Sequence, residues 1–156
     1  MKRDLRQAFA LGSALFALAL TTGARAPSVD PNPNGPRITV YKDPGCRCCK
    51  NWIDYVVRHG YRVDAKDTPA MAEVKRTLGV PDALTSCHTA VVNGYLIEGH
   101  VPAADIAKLL KEKPKVAGLA VPGMPTGSPG MEGAHQQHYQ VLSFDKNGKT
   151  RVFASY

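Results

Sequence analysis

The sequence predicts a single α/β domain in which short strands alternate with helices. Between residues 37 and 114, apolar residues repeatedly change from the alternation typical of strands to the spacing of three and four typical of helices. Asn93-Gly94 separates two apolar runs, which is a strong signal for a β-hairpin. The length of 156 residues and the hydrophobic fraction of 44% fit one modest domain, which we place at residues 37–156.

The first half of this domain is predicted as β-α-β-α. Residues 37–43, "RITVYKD", are rich in β-branched and aromatic residues, which favours a strand, and a Pro-Gly turn separates them from the first helix. That helix ends at Gly60, and a second strand over residues 61–67 precedes a second helix over residues 68–79. The residues expected to face the core are Trp52, Ile53, Val56 and Val57 in the first helix and Met71, Val74 and Leu78 in the second.

The second half is predicted as a hairpin, a helix, a long loop and a terminal hairpin. The hairpin covers residues 89–100, and the following helix covers residues 102–114. The order β-α-β-α-β-β-α resembles that of thioredoxin and glutaredoxin folds. After Pro114, Gly and Pro recur so often that no regular element is expected before the terminal hairpin of residues 139–156.

Residues 1–26 are predicted to be a signal peptide. They begin with a basic segment, continue with a 13-residue apolar run, and end with Ala24 and Ala26 in A-x-A spacing. The run is too short for a transmembrane helix, which needs about 18 apolar residues or more. Residues 27–36 follow as a flexible leader rich in Pro and Asn. We therefore expect a periplasmic domain without a membrane anchor, with an uncleaved tether as the alternative because Pro27 directly follows the cleavage signal.

The charge balance argues against a nucleic-acid partner. The full chain carries a net charge of +7, and loss of the predicted signal removes four basic and one acidic side chain, which leaves +4. No basic stripe with interleaved aromatic residues is present in the sequence. Export also places the cysteines in an oxidising compartment, where free thiols need a partner or a function.

Three of the four cysteines lie together at the predicted start of the first helix, in the sequence "GCRCCK" of residues 45–50. The positive end of the helix dipole, the unpaired backbone N–H groups, and the side chains of Arg47 and Lys50 are expected to lower the pKa of these thiols. The thiolate is the form that acts as a nucleophile or binds a metal. The position therefore favours chemistry over a purely structural role.

Four interpretations of these cysteines are open. Cys46 and Cys49 form the C-x-x-C pair of a thiol-disulfide oxidoreductase, although Cys48 and Cys87 exceed what such an enzyme needs. A zinc site usually separates its paired ligands by two to four residues, which the adjacent Cys48 and Cys49 do not match. Crowded thiolates suit Cu(I), because closely set sulfurs can bridge several ions. In an exported chain, two disulfides, Cys46–Cys49 and Cys48–Cys87, are the structural alternative.

Three motifs, "YKDPGCRCCKNW", "SCHTAVVNGYLIEGHVP" and "GLAVPGMPTGSPGME", resemble the CopG-like family of periplasmic copper-resistance proteins over residues 38–156. The resemblance implies a thioredoxin-like fold and a polynuclear cluster of several Cu(I) ions, and it leaves open a copper oxidoreductase activity. It implies copper resistance by sequestration or redox handling, with copper ions and other periplasmic copper-handling proteins as partners. The ligands that it implies are Cys46, Cys48, Cys49 and Cys87.

His88, Met124 and Met131 are secondary candidates for the metal site. His88 adjoins Cys87 and is read as a ligand, a donor that orients thiolates, or a strand residue. The thioether sulfurs of Met124 and Met131 are soft ligands for Cu(I), or they fasten a Gly-Pro loop to the core. For His100 a loop histidine bonded to the backbone is favoured over a ligand, and His135 and His138 are expected to be solvated.

Overall fold

The computed structural model describes residues 32–156 and shows an α/β fold with one mixed sheet of seven strands and three α-helices. The predicted signal peptide, residues 1–26, lies outside the described residues, and so do residues 27–31 of the predicted leader. None of the helices in residues 32–156 has the length and apolarity that crossing a bilayer requires.

The sheet has the strand order β2-β1-β3-β4-β5-β6-β7. β1 is parallel to β2 and β4 is parallel to β5, whereas every other neighbouring pair is antiparallel. The predicted order from the first strand to the third helix is confirmed. The elements are β1 (Arg37–Lys42), α1 (Arg47–Arg58), β2 (Arg62–Asp67), α2 (Met71–Leu78), a 3-10 turn (Asp82–Leu84), β3 (His88–Val92), β4 (Tyr95–Glu98), α3 (Ala103–Glu112), β5 (Gly118–Ala120), β6 (Gln140–Phe144) and β7 (Thr150–Ser155).

The Asn93-Gly94 hairpin forms as predicted. Asn93 has a φ of 47° and Gly94 a φ of 83°, so both central residues occupy the left-handed region that a type I′ turn requires. The turn sets the register in which Thr89 is opposite Glu98 and Ala90 is opposite Ile97. This register determines the geometry of the site, because it places Cys87, just before β3, next to His100, just after β4.

The alternation along β3 divides its side chains between two layers. Ala90 and Val92 belong to the main core, where Trp52 and Val56 of α1 pack with α3 against one face of the sheet. Val91 packs against a smaller cluster on the other face, on the side of α2. His88 precedes Ala90 by two residues and therefore shares the α1 face, where its ring lies 4.4 Å from that of Trp52.

Two predictions about the fold are wrong in part. The segment after Pro114 is not entirely a loop, because Gly118–Ala120 forms β5 between β4 and β6. An added Cβ at Gly118 would lie 2.0 Å from the carbonyl oxygen of Leu96, so glycine here permits close strand contact rather than breaking the strand.

The second correction concerns α2. Its predicted core residues are only half-buried, and the buried residue of this helix is Lys75. Periodicity did not identify Lys75 because its partner, Glu98, comes from β4.

Candidate metal centre

The turn after β1 presents Cys46 at the N-terminus of α1. The side chain of Asp43 accepts a hydrogen bond from the Gly45 N–H at 2.8 Å, and the Asp43 carbonyl accepts one from the Cys46 N–H at 3.1 Å. Cys46 is the N-cap residue, and its sulfur accepts a hydrogen bond from the Cys49 N–H at 3.3 Å. The predicted location of the cysteines at the helix start is therefore confirmed.

The structure brings all four cysteine sulfurs within 4.8 Å of one another. Cys46 and Cys49 form a disulfide, and Cys49 is fully buried. Cys48 and Cys87 are free thiols. The Cys48 sulfur lies 3.5 Å from that of Cys46 and 3.8 Å from that of Cys87. Of the two disulfides considered from the sequence, the structure contains the first and leaves the second pair in contact but unbonded.

Two histidines complete the surroundings of Cys87. Its sulfur lies 3.3 Å from Nδ1 of His88 and 3.0 Å from Nε2 of His100. Cys87, His88 and His100 form a second group whose potential ligand atoms lie within 4.8 Å of one another. Both histidines are fully buried, and Nε2 of His88 has no hydrogen-bond partner among residues 32–156. This unpaired nitrogen is consistent with a centre whose polar groups are not all committed to the fold.

Burial controls protonation at this centre. It lowers the pKa of His88 well below its usual value, with further lowering from His100 and Lys75, and it also lowers the pKa of His100. Burial, together with the neighbouring Cys48, raises the pKa of Cys87 to about 12. Without a metal, Cys87 is therefore a thiol between two neutral imidazoles.

A buried ion pair holds the chain just before Cys87. The Glu98 carboxylate is fully buried and lies 2.5 Å from the ammonium of Lys75. It also accepts hydrogen bonds from the Ser86 N–H at 2.6 Å and from the Thr89 hydroxyl at 2.6 Å. Because Ser86 directly precedes Cys87, this carboxylate fixes where the Cys87 sulfur lies relative to α1.

The loop between β5 and β6 covers the centre. The Pro129 carbonyl accepts a hydrogen bond from Nδ1 of His100 at 2.8 Å. An added Cβ at Gly130 would lie 2.7 Å from the backbone nitrogen of Trp52 and 3.0 Å from the carbonyl oxygen of Cys48. The loop backbone therefore lies directly against the start of α1. Near the beginning of the loop, the Gly123 carbonyl accepts a hydrogen bond from the Ser86 hydroxyl.

The two methionines of this loop differ in exposure. Met124 is 54% exposed next to Gly123, whereas Met131 is half-buried next to Gly130. Their roles as ligands stay predictions. His135 and His138 are exposed, as expected.

His100 is the residue of the centre that the sequence did not favour. The expected backbone hydrogen bond exists at its Nδ1, but the other ring nitrogen faces Cys87. The signal that could have found it is the hairpin register, which places the residues just after β4 next to those just before β3.

Comparisons with known proteins point to one group. Residues 84–131 match a family described as a protein of unknown function, DUF411. Two solved structures of the copper resistance protein CopG are similar to the chain. Form 2 is 47% identical with a TM-score of 0.75, over 78% of this chain and 98% of that one. Form 1 is 48% identical with a TM-score of 0.73, over 77% and 96%. No curated protein sequence matches significantly.

Proposed function

Because this chain belongs to the family of the copper resistance protein CopG, we propose that it binds several Cu(I) ions in a cluster of cysteine thiolates and so supports copper resistance. The observation that carries the proposal is the convergence of four cysteine sulfurs within 4.8 Å at the start of α1. Thiolates are the preferred protein ligands of Cu(I), and the adjacent imidazoles of His88 and His100 are compatible with the same ion. The predicted ligands are Cys46, Cys48, Cys49 and Cys87.

The cluster requires the reduced form of the chain. A disulfide sulfur is not a thiolate, so Cys46 and Cys49 become ligands only after two electrons have opened the bond between them. An external dithiol is the class of reductant that supplies these electrons, and it leaves as a disulfide. The free thiols of Cys48 and Cys87 lose their protons when Cu(I) binds.

The proposed setting is the periplasm after removal of a signal peptide. The composition of residues 1–26 supports export, and the resulting oxidising compartment accounts for a disulfide at the site. A thioredoxin-like core is part of the same proposal. It is supported by the parallel pair β1-β2, the antiparallel pairs β1-β3 and β3-β4, and α1 and α3 packing against one sheet face.

Anaerobic titration of the reduced chain with Cu(I), with copper counted per chain, tests the cluster. We expect more than one copper per chain, and fewer in Cys48→Ser, because Cys48 lies between Cys46 and Cys87. His59→Ala is the matched control, since His59 is exposed and its Nδ1 interacts with the Tyr55 carbonyl. Binding of no more than one copper, unchanged in Cys48→Ser, would contradict the proposal.

The Cys46–Cys49 disulfide favours a second candidate, a thiol-disulfide oxidoreductase. In this case Cys46, which is partly exposed, would be the residue attacked by a substrate thiol, and Cys49, which is fully buried, would be the leaving thiol. Metal-free protein in its reduced dithiol form would then exchange with a model disulfide, and Cys46→Ala would lose that exchange. Activity that requires bound copper would instead support copper redox handling.

A further inference from the structure

The Cys46–Cys49 disulfide does not remove every metal ligand from the centre. Cys48 and Cys87 remain free thiols with their sulfurs 3.8 Å apart. The Cys87 sulfur also keeps its contacts with Nδ1 of His88 and Nε2 of His100. The oxidised chain therefore keeps Cys87, His88 and His100, whose potential ligand atoms lie within 4.8 Å of one another and none of which takes part in the disulfide.

The tautomer of His100 makes its inner nitrogen available to a metal. A carbonyl oxygen can only accept a hydrogen bond, so the contact of 2.8 Å with the Pro129 carbonyl places the ring proton on Nδ1. Nε2 then carries a lone pair, and this lone pair faces the Cys87 sulfur at 3.0 Å. A ring nitrogen held by a backbone carbonyl in this way is the usual arrangement of a metal-binding histidine.

We propose that the disulfide form of the chain retains a site for one Cu(I), formed by the Cys87 sulfur, Nε2 of His100 and a ring nitrogen of His88, three residues whose potential ligand atoms lie within 4.8 Å of one another. The proposal rests on copper being the metal that this chain binds. Sulfur and imidazole ligands together suit Cu(I). Binding exchanges the thiol proton of Cys87 for the ion. The disulfide and the oxidation state of copper stay unchanged, so no reductant is consumed.

The consequence is a centre whose copper content follows its disulfide. The reduced chain has four sulfurs to share among several ions, whereas the oxidised chain has two sulfurs and holds one ion. Oxidation of Cys46 and Cys49 by an external disulfide, which takes the two electrons and leaves as a dithiol, would thus release most of the copper and retain the ion next to His100. The fold need not change between these states, since His100 is held by the loop and Cys87 by the Glu98 carboxylate through Ser86.

The test compares the two redox forms of the full chain under nitrogen. Cu(I) is supplied as its acetonitrile complex, and disulfide mapping by mass spectrometry after titration verifies that Cys46–Cys49 is intact in the oxidised form. We expect the oxidised form to bind one Cu(I), and His100→Ala to lose it, with His59→Ala unchanged. If His100→Ala does not fold, Cys87→Ser changes a single atom and tests the same site. Ag(I), which does not change oxidation state, serves as a second probe.

The outcomes separate the two proposals. If the reduced form binds several Cu(I) ions and the oxidised form binds none, the one-copper site is wrong and the thiolate cluster stands. The same conclusion follows if the oxidised form binds one ion that both His100→Ala and Cys87→Ser retain. If neither redox form binds Cu(I), the proposed function itself fails.

Discussion

Replacing Lys75 by Met should destabilise the fold strongly, because it leaves the Glu98 carboxylate buried without its cation. Glu98 is fully buried, and the ammonium of Lys75 lies 2.5 Å from it with only 11% of the lysine side chain exposed. Removing one partner of a buried ion pair costs about 3–5 kcal/mol. Glu98 keeps its hydrogen bonds from Ser86 and Thr89, so we expect a loss near the lower end, about 3 kcal/mol.

The measurement is urea unfolding of the oxidised protein, followed by the fluorescence of Trp52, which is fully buried and is the only tryptophan of the chain. Arg76→Met is the matched control, because Arg76 is the next residue of the same helix and pairs with Glu73 at the surface. An exposed pair of this kind contributes little to stability, so Arg76→Met should cost much less than Lys75→Met.

A second variant separates the charge from the packing. Lys75→Met with Glu98→Gln should lose less stability than Lys75→Met alone, because the buried group is then neutral. The reasoning is refuted if Lys75→Met costs no more than Arg76→Met, or if the neutral amide recovers nothing.

Three further changes test other parts of the structure. Gly130→Ala should cost about 1–3 kcal/mol more than Gly123→Ala, as measured by urea unfolding, because both positions have positive φ but only at Gly130 would the Cβ meet the α1 backbone. Glu98→Gln should weaken Cu(I) binding about tenfold, as measured by competition with a chelator, because the carboxylate orients Cys87 through Ser86. Unchanged affinity for Cu(I) would contradict this role. The difference in free energy of unfolding between Asp105→Asn and the wild-type chain should shift in favour of the variant as pH rises. Burial raises the pKa of Asp105 in the folded protein, even though Tyr156 donates a hydrogen bond to it, so the wild-type chain loses stability as pH rises through that pKa. Unfolding at low and neutral pH measures the difference, and a pH-independent effect of the substitution would contradict it.

Local signals predicted the parts of the fold that are determined locally. Asn93-Gly94 defines its hairpin because the two residues adopt the left-handed conformations that the turn needs. The start of α1 was predictable for a similar reason, since the turn at Asp43 and the cysteine N-cap lie within a few residues of each other. These features do not depend on the rest of the chain.

The features that were missed depend on contacts between distant residues. β5 forms because its backbone pairs with β4 on one side and with β6 on the other. Its sequence alone resembles the Gly-Pro loop that follows. Lys75 is buried because Glu98 lies opposite it, a pairing that helical periodicity does not report. His100 follows Gly99 and precedes Val101 and Pro102, a local sequence that is typical of a turn and does not distinguish it from a loop histidine. Only the pairing of β3 with β4 brings it to Cys87.

The disulfide of the centre closes a very small ring, since Cys46 and Cys49 are three residues apart in the sequence. A crosslink of this span removes little conformational entropy from the unfolded chain. The loop-entropy relation gives it a stabilisation of about 2 kcal/mol, whereas a disulfide that closes a 15-residue loop contributes about 3 kcal/mol. The seven-stranded sheet and its two clusters of buried apolar side chains, rather than this bond, therefore hold the domain together. The sulfur chemistry can thus alternate between dithiol and disulfide while the architecture around it persists.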